Sequence, residues 1–242
     1  MKLRYNIIAS SCPSVLLFSG FLLLNSCSRQ QTEEPSEAQT TEQTKEQPAE
    51  EPAEEPVETI KLLSADNLNL NKHWVIKDGV LSTSETPGGI LWSKAAYGDF
   101  KITLEYKTSE KCNSGLFFRT DPKNPVQGGF EIQIASDGLY NGKHIVGSLY
   151  DAKEPTKSMA KPDGVWNTMS LTCKGAQITV VLNGEQVNDL NIDDWDTAEK
   201  NPDGSKNKFK KALKDMPRTG HFGLQYHGQP IFYRNIVITP LG

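Results

Sequence analysis

The stretch Phe100-Lys101-Ile102-Thr103-Leu104-Glu105-Tyr106-Lys107 alternates apolar and polar side chains without a break. Successive side chains of an extended chain point to opposite faces, so this pattern makes one face apolar and the other wet. A helix, with about 3.6 residues per turn, would scatter the same residues around its circumference. The same period appears further along the chain. Met169, Leu171 and Cys173 alternate with Ser170 and Thr172; Ile178, Val180 and Leu182 alternate with Thr179 and a second-face Val181. Phe222, Leu224 and Tyr226 alternate with His221, Gly223, Gln225 and His227. Between such runs lie turn residues: Lys174-Gly175, a strong two-residue signal at Asn183-Gly184, and weaker ones at Asp78-Gly79 and Asp137-Gly138. Short half-buried strands separated by tight turns predict an all-β sandwich or jelly roll of two antiparallel sheets. One segment departs from this period. Lys206 to Lys214 (KNKFKKALK), after Asn201-Pro202-Asp203-Gly204, predicts a short helix in a late insertion.

The strands begin only near residue 60. Upstream, Lys2 and Arg4 precede an apolar run from Val15 to Leu24, too short to span a bilayer but of signal-peptide length. Leu24-Asn25-Ser26-Cys27 comes next, and this resembles the lipobox of bacterial lipoproteins, which implies acylation at Cys27. Residues 1–27 therefore read as a lipoprotein signal. Residues 28–58 hold ten Glu against Arg29 and Lys45, with Pro, Gln and Thr between them. Such a segment buries too little apolar surface to order itself and reads as an extended tether. From Thr59 onward there are 22 basic and 20 acidic residues, so the domain at 59–242 is near neutral although the chain's formal charge is −4. No concentrated basic face for nucleic acid is present. The expected placement is extracytoplasmic, held by lipid alone and most consistent with the outer membrane. Only Cys112 and Cys173 enter the domain, and they read as two buried thiols.

Three strand-borne segments project polar groups together. In Asn113-Ser114-Gly115-Leu116-Phe117-Phe118-Arg119, parity puts Gly115, Phe117 and Arg119 on one face. In Gly129-Phe130-Glu131-Ile132-Gln133-Ile134, the apolar members turn inward and Glu131 and Gln133 project outward. In Gly220 to Gly228, Gln225 and His227 project together. A polar sheet face is ordinarily just solvated. Arg119 and Glu131 stand out because each sits among glycines and aromatics; the bland alternative for them is a structural ion pair.

These same segments carry a family resemblance. NSGLFFR at 113–119, GGFEIQI at 128–134 and GSLYD at 147–151 are similar, in order and spacing, to the 3-keto-disaccharide hydrolase domain, long known as a domain of unknown function. So are GVWNT at 164–168, ITVVLNG at 178–184, residues 201–217, GHFGLQYHG at 220–228 and FYRNI at 232–236. The resemblance implies a concanavalin A-like jelly roll acting on glycosides whose sugar is oxidised to a ketone at C3.

The strand holding Glu131 shows only one carboxylate, so the usual two-carboxylate displacement lacks a visible second member. A 3-keto sugar allows another route: its ketone acidifies the C2 hydrogen, a base removes it, the C1 substituent leaves, and water adds back. On this reading Glu131 or His144 is the base, and Arg119 or Lys161 steadies the oxyanion. His227 or Tyr150 assists the leaving group, while Gln133, Asp151 and Gln225 orient hydroxyls. No metal-ligand spacing and no cofactor motif is evident. The alternatives are a lectin-like domain that binds carbohydrate without cleaving it, and a structural or partner-binding lipoprotein. Trp166 reads as core, and Arg234 and Asn235 as structural.

Overall fold

The computed structural model describes residues 58–83 and 89–242. The signal segment, Cys27 and all but the last residue of the acidic stretch lie outside the described residues. Among the described residues, twelve strands form two antiparallel sheets. They are β1 (Ile60–Lys61), β2 (Trp74–Lys77), β3 (Val80–Thr83), β4 (Ile90–Tyr97), β5 (Phe100–Thr108) and β6 (Asn113–Thr120). The chain continues with β7 (Phe130–Ala135), β8 (Asn167–Lys174), β9 (Gln177–Leu182), β10 (Glu185–Asn191), β11 (Gly220–Gln225) and β12 (Ile231–Pro240). The larger sheet runs β10-β9-β8-β5-β12-β3-β2, with β1 also paired to β12. The smaller runs β4-β11-β6-β7. This is the expected jelly-roll sandwich.

The alternation that predicted the strands is what builds the core. Phe100, Ile102, Leu104 and Tyr106 of β5 are buried, and their polar neighbours face out. They share one core with Leu116 and Phe118 of β6 and Phe130, Ile132 and Ile134 of β7. Phe118 stacks on Phe130 with ring centroids 5.4 Å apart. Each such side chain contributes about 1.5–3 kcal/mol on burial. Two of the predicted turns close hairpins through consecutive left-handed residues: Asp78 (φ 51°) with Gly79 (φ 74°), and Asn183 (φ 53°) with Gly184 (φ 88°). That geometry matches the twist of the flanking strands. Cys112 and Cys173 are free and buried, and burial pushes both thiols up to about 12.

Two expectations change. The late insertion holds a single 3-10 turn, Leu213–Asp215, rather than a helix from Lys206 to Lys214. Its backbone groups are engaged elsewhere. Glu199 N donates to Phe209 O, Asn207 N to Glu199 O, Phe209 N to the Asn207 side chain and Lys210 N to Gln127 Oε1. Side-chain and cross-loop partners of this kind compete directly with a helical ladder. Trp166 is not core. It sits half-buried against the outer side of the larger sheet, with the Arg234 guanidinium 4.1 Å and the Lys107 ammonium 5.1 Å from its ring centroid. Arg234 and Asn235 both donate to Glu105, a structural cluster as expected.

Candidate active site

An antiparallel sheet usually leaves one face to solvent, yet every residue of β7 is buried. The outer face of the smaller sheet is covered by loops, and these create the site. Beyond the free edge of β7 the chain from Gly147 to Tyr150 adds on as an irregular strand. Gly147 N donates to Gln133 O, Gln133 N to Ser148 O and Tyr150 N to Glu131 O, at 2.9–3.0 Å, and Leu149 bridges Ile132. This caps the sheet edge and swings Tyr150 over Glu131. A cavity of about 300 Å³ remains, lined on the sheet side by Asn113, Phe117, Glu131, Gln133 and Gln225. Tyr150, Val126, His227 and Lys208 complete its walls.

Strand register explains the floor. Gly223 of β11 pairs with Trp92 on one side and Phe117 on the other, and Phe117 pairs with Glu131. Gly115 pairs with Gln133. Glu131 leans diagonally over Gly115: a β-carbon at Gly115 would sit 2.8 Å from the carboxyl carbon, so only glycine leaves room for it. Gln133 Nε2 donates to Asn113 Oδ1 at 2.9 Å, fixing both amides. Glu131 is only 7% exposed. Burial pushes its carboxyl up to about 7, and the Lys208 cation pulls in the opposite direction. Lys208 Nζ lies 3.8 Å from Glu131 Oε2 and 4.2 Å from the centroid of the Tyr150 ring. Burial lowers the Lys208 pKa, while Glu131 and Asp151 raise it. Burial also raises the Tyr150 phenol, with Glu131, Asp151 and Tyr140 adding to the shift. A base poised near neutrality beside a cation and a phenol is suited to moving a proton and stabilising the charge left behind.

Lys208 is the cavity residue that sequence reading missed, because the run KNKFKKALK gave no way to tell one lysine from the next. The signal lies in the partner loop. Gln127 Nε2 donates to Lys208 O at 2.8 Å, and Gln127 Oε1 accepts from Lys210 N at 2.9 Å. One side-chain amide thus clasps the backbone on both sides of Phe209, whose own ring is buried in the core. With Phe209 anchored and its flanks held, the Lys208 side chain is directed to the cavity.

The structure brings Glu131, Gln133, Tyr150, Gln225 and His227 to one cavity, and it moves the other expected residues out. Arg119 is fully buried at the end of the sandwich. It donates to Gly98 O (2.9 Å), Gly175 O (2.7 Å) and Asp99 Oδ1 (2.8 Å), so it ties the β4–β5 connection between the sheets and the β8–β9 turn of the larger sheet to β6. Parity failed there because β6 bulges against β11 between the pairs Phe117–Gly223 and Thr120–His221, and Arg119 takes a left-handed φ of 49°. An extra residue in one strand reverses the facing of the residues beyond it. Lys161 lies by the larger sheet, donating from Nζ to Trp166 O at 3.1 Å. His144 does not line the cavity either. Its ring backs Tyr150 at 4.7 Å between centroids, and its Nε2 is 3.2 Å from Asp151 Oδ1. Asp151 thus engages His144 rather than the cavity. A separate cleft of about 240 Å³ beside Asp189, Trp195 and Asp203 has no buried base opposite a cation among the described residues.

The model of the 3-keto-alpha-glucoside-1,2-lyase-like domain matches residues 39–239. The chain belongs to that family. A Bacteroides thetaiotaomicron protein named 3-keto-disaccharide hydrolase is 23% identical over 204 residues, which cover 69% of this chain and 70% of that protein. A crystal structure of a candidate glycosyl hydrolase from Parabacteroides distasonis is 32% identical, with a TM-score of 0.72, and covers 76% of this chain and 100% of its own. A second candidate glycosyl hydrolase from the same organism, 23% identical with a TM-score of 0.58, covers 71% of this chain and 84% of its own and shows the shared fold. The hydrolase relative and the 32% identical glycosyl hydrolase candidate support a glycosidase-like role.

Proposed function

We propose that the protein cleaves glycosides of 3-keto sugars by elimination across C1 and C2, with Glu131 as the base. The observation that carries this reading is the count of carboxylates: among the described residues, Glu131 is the only one lining the cavity. Displacement by paired carboxylates needs a second; removal of an acidified proton does not. In the proposed reaction Glu131 takes the C2 hydrogen, and its electron pair forms an enolate onto the C3 oxygen. Lys208 faces that developing charge. The enolate collapses, the C1–oxygen bond breaks, and the departing oxygen takes a proton from Tyr150 or His227. The product is an enone with a C1–C2 double bond. Water then adds to C1 and a proton returns to C2, so the net change is hydrolysis. Gln133, Asn113 and Gln225 hold sugar hydroxyls.

The test is turnover of a 3-keto disaccharide by wild type and Glu131→Gln, following released monosaccharide and the ultraviolet absorbance of the enone. Loss of the base should cost about 10²–10⁴-fold in kcat. Wild-type-like rates in the variant would remove Glu131 from the reaction. Binding of the sugar without release by the wild type would favour the lectin-like reading. We extend the proposal to the N-terminal segment: Cys27 is acylated and anchors the domain at the outer membrane. Mass spectrometry of the mature N-terminus, with Cys27→Ser as control, tests that assignment.

A further inference from the structure

The cavity, at about 300 Å³, is at the small end of ligand sites, which run about 300–1,000 Å³. It accommodates the ring that reacts and little of what leaves. On the β7 side it is closed by the added segment Gly147–Tyr150 and by Lys208. On the opposite side the floor continues through Phe117 and Gly223 to Trp92 on β4. Trp92 stays partly exposed, and its indole lies across Gly223: a β-carbon there would meet Cε3 and Cζ3 at 2.6 Å. Phe117, a cavity wall, meets the same indole edge-on, with centroids 5.8 Å apart and planes at 68°. Both large side chains lean toward the middle of the sheet, Glu131 over Gly115 and Trp92 over Gly223. Those glycines are diagonal neighbours on adjacent strands, roughly 7–8 Å apart. Across this floor the indole is the surface that follows Phe117 and Gly223 on the side away from Glu131.

We infer that Trp92 is the platform for the leaving group, so that the site selects glycosides whose departing part is itself a ring, such as a second pyranose or an aryl group. The apolar C–H face of such a ring covers the indole, while a methyl substituent does not reach it. The inference rests on the elimination reading for which end of the substrate leaves.

The experiment compares a 3-keto disaccharide with the methyl glycoside of the same 3-keto sugar. Trp92→Leu keeps an apolar cover on Gly223 without an aromatic face. This variant should raise KM for the disaccharide roughly 3- to 10-fold, the scale of one lost aromatic contact, and leave the methyl glycoside unchanged. Equal effects on both substrates, or none on either, would overturn the platform. Calorimetry on Glu131→Gln, with and without Trp92→Leu, makes the same comparison without turnover. If wild type binds but cleaves neither glycoside, the elimination reading fails, and selective loss of disaccharide binding still supports the platform. Binding of neither ligand overturns both.

Discussion

Replacing Lys208 with methionine removes the cation facing Glu131 while keeping a side chain of similar length. At 3.8 Å two unit charges interact by about 1 kcal/mol in water and about 4 kcal/mol at an effective dielectric near 20. Glu131 is nearly sealed, but Lys208 keeps 23% of its side-chain exposure, which favours the lower part of that range. About 1.4 kcal/mol corresponds to tenfold in the Glu131 protonation equilibrium. The cation favours the ionised carboxylate, so its loss favours the protonated one. Wild-type kcat/KM should rise with pH through about 7, where Glu131 titrates. In Lys208→Met that limb should move up by about one pH unit. On the alkaline plateau the rate should stay lower by about 10²-fold, because the enolate has lost its facing charge. Initial rates on a 3-keto disaccharide across the pH range measure both effects. A limb that stays near neutrality in the variant refutes the coupling between Lys208 and Glu131.

Gln127→Ala unclasps the loop that presents Lys208, and should lower kcat while moving the acid limb in the same direction as Lys208→Met; a loss of rate with an unmoved limb would mean the clasp has no bearing on Glu131. Burial raises Glu131 from its ordinary 4.5 to about 7 in the folded state, so the folded protein holds that proton more tightly and stability falls as pH rises between those values. Glu131→Gln should therefore be more stable than wild type above about pH 7, by roughly 1–3 kcal/mol, and should lose the advantage below about pH 4.5; thermal melts showing the same difference at both ends contradict this. Arg119→Met leaves two carbonyls without their donor and takes the guanidinium from Asp99, which keeps Gly175 N, and should cost about 2–4 kcal/mol in urea unfolding. The molecules that remain folded should turn over normally; a stable but inactive Arg119→Met would restore Arg119 to the reaction.

Sequence and structure agree wherever the deciding physics is local. Alternation at Phe100–Lys107 fixes which residues of β5 face inward, and Asn183-Gly184 carries its turn geometry in its own backbone preferences, so both were legible. Glu131 and Gln133 were legible as outward-facing residues, but not as buried ones. Their burial comes from Gly147–Tyr150 and the late insertion, which fold over them from distant parts of the chain. Arg119 was misassigned because one bulge reverses side-chain parity and nothing in NSGLFFR marks it. Lys208 was invisible for a different reason. Its place depends on a single amide, Gln127, eighty-one residues away in sequence. His144 was seen as a candidate but stands behind Tyr150 rather than beside the substrate.

Proton removal from C2 is the step on which the proposed reaction depends, and a substrate deuterated at that carbon tests it most directly. Elimination through Glu131 predicts a primary isotope effect on kcat/KM and loss of the label to solvent at the rate of cleavage. A label retained at C2 in the released sugar, with no isotope effect, would contradict it and point to direct attack at C1.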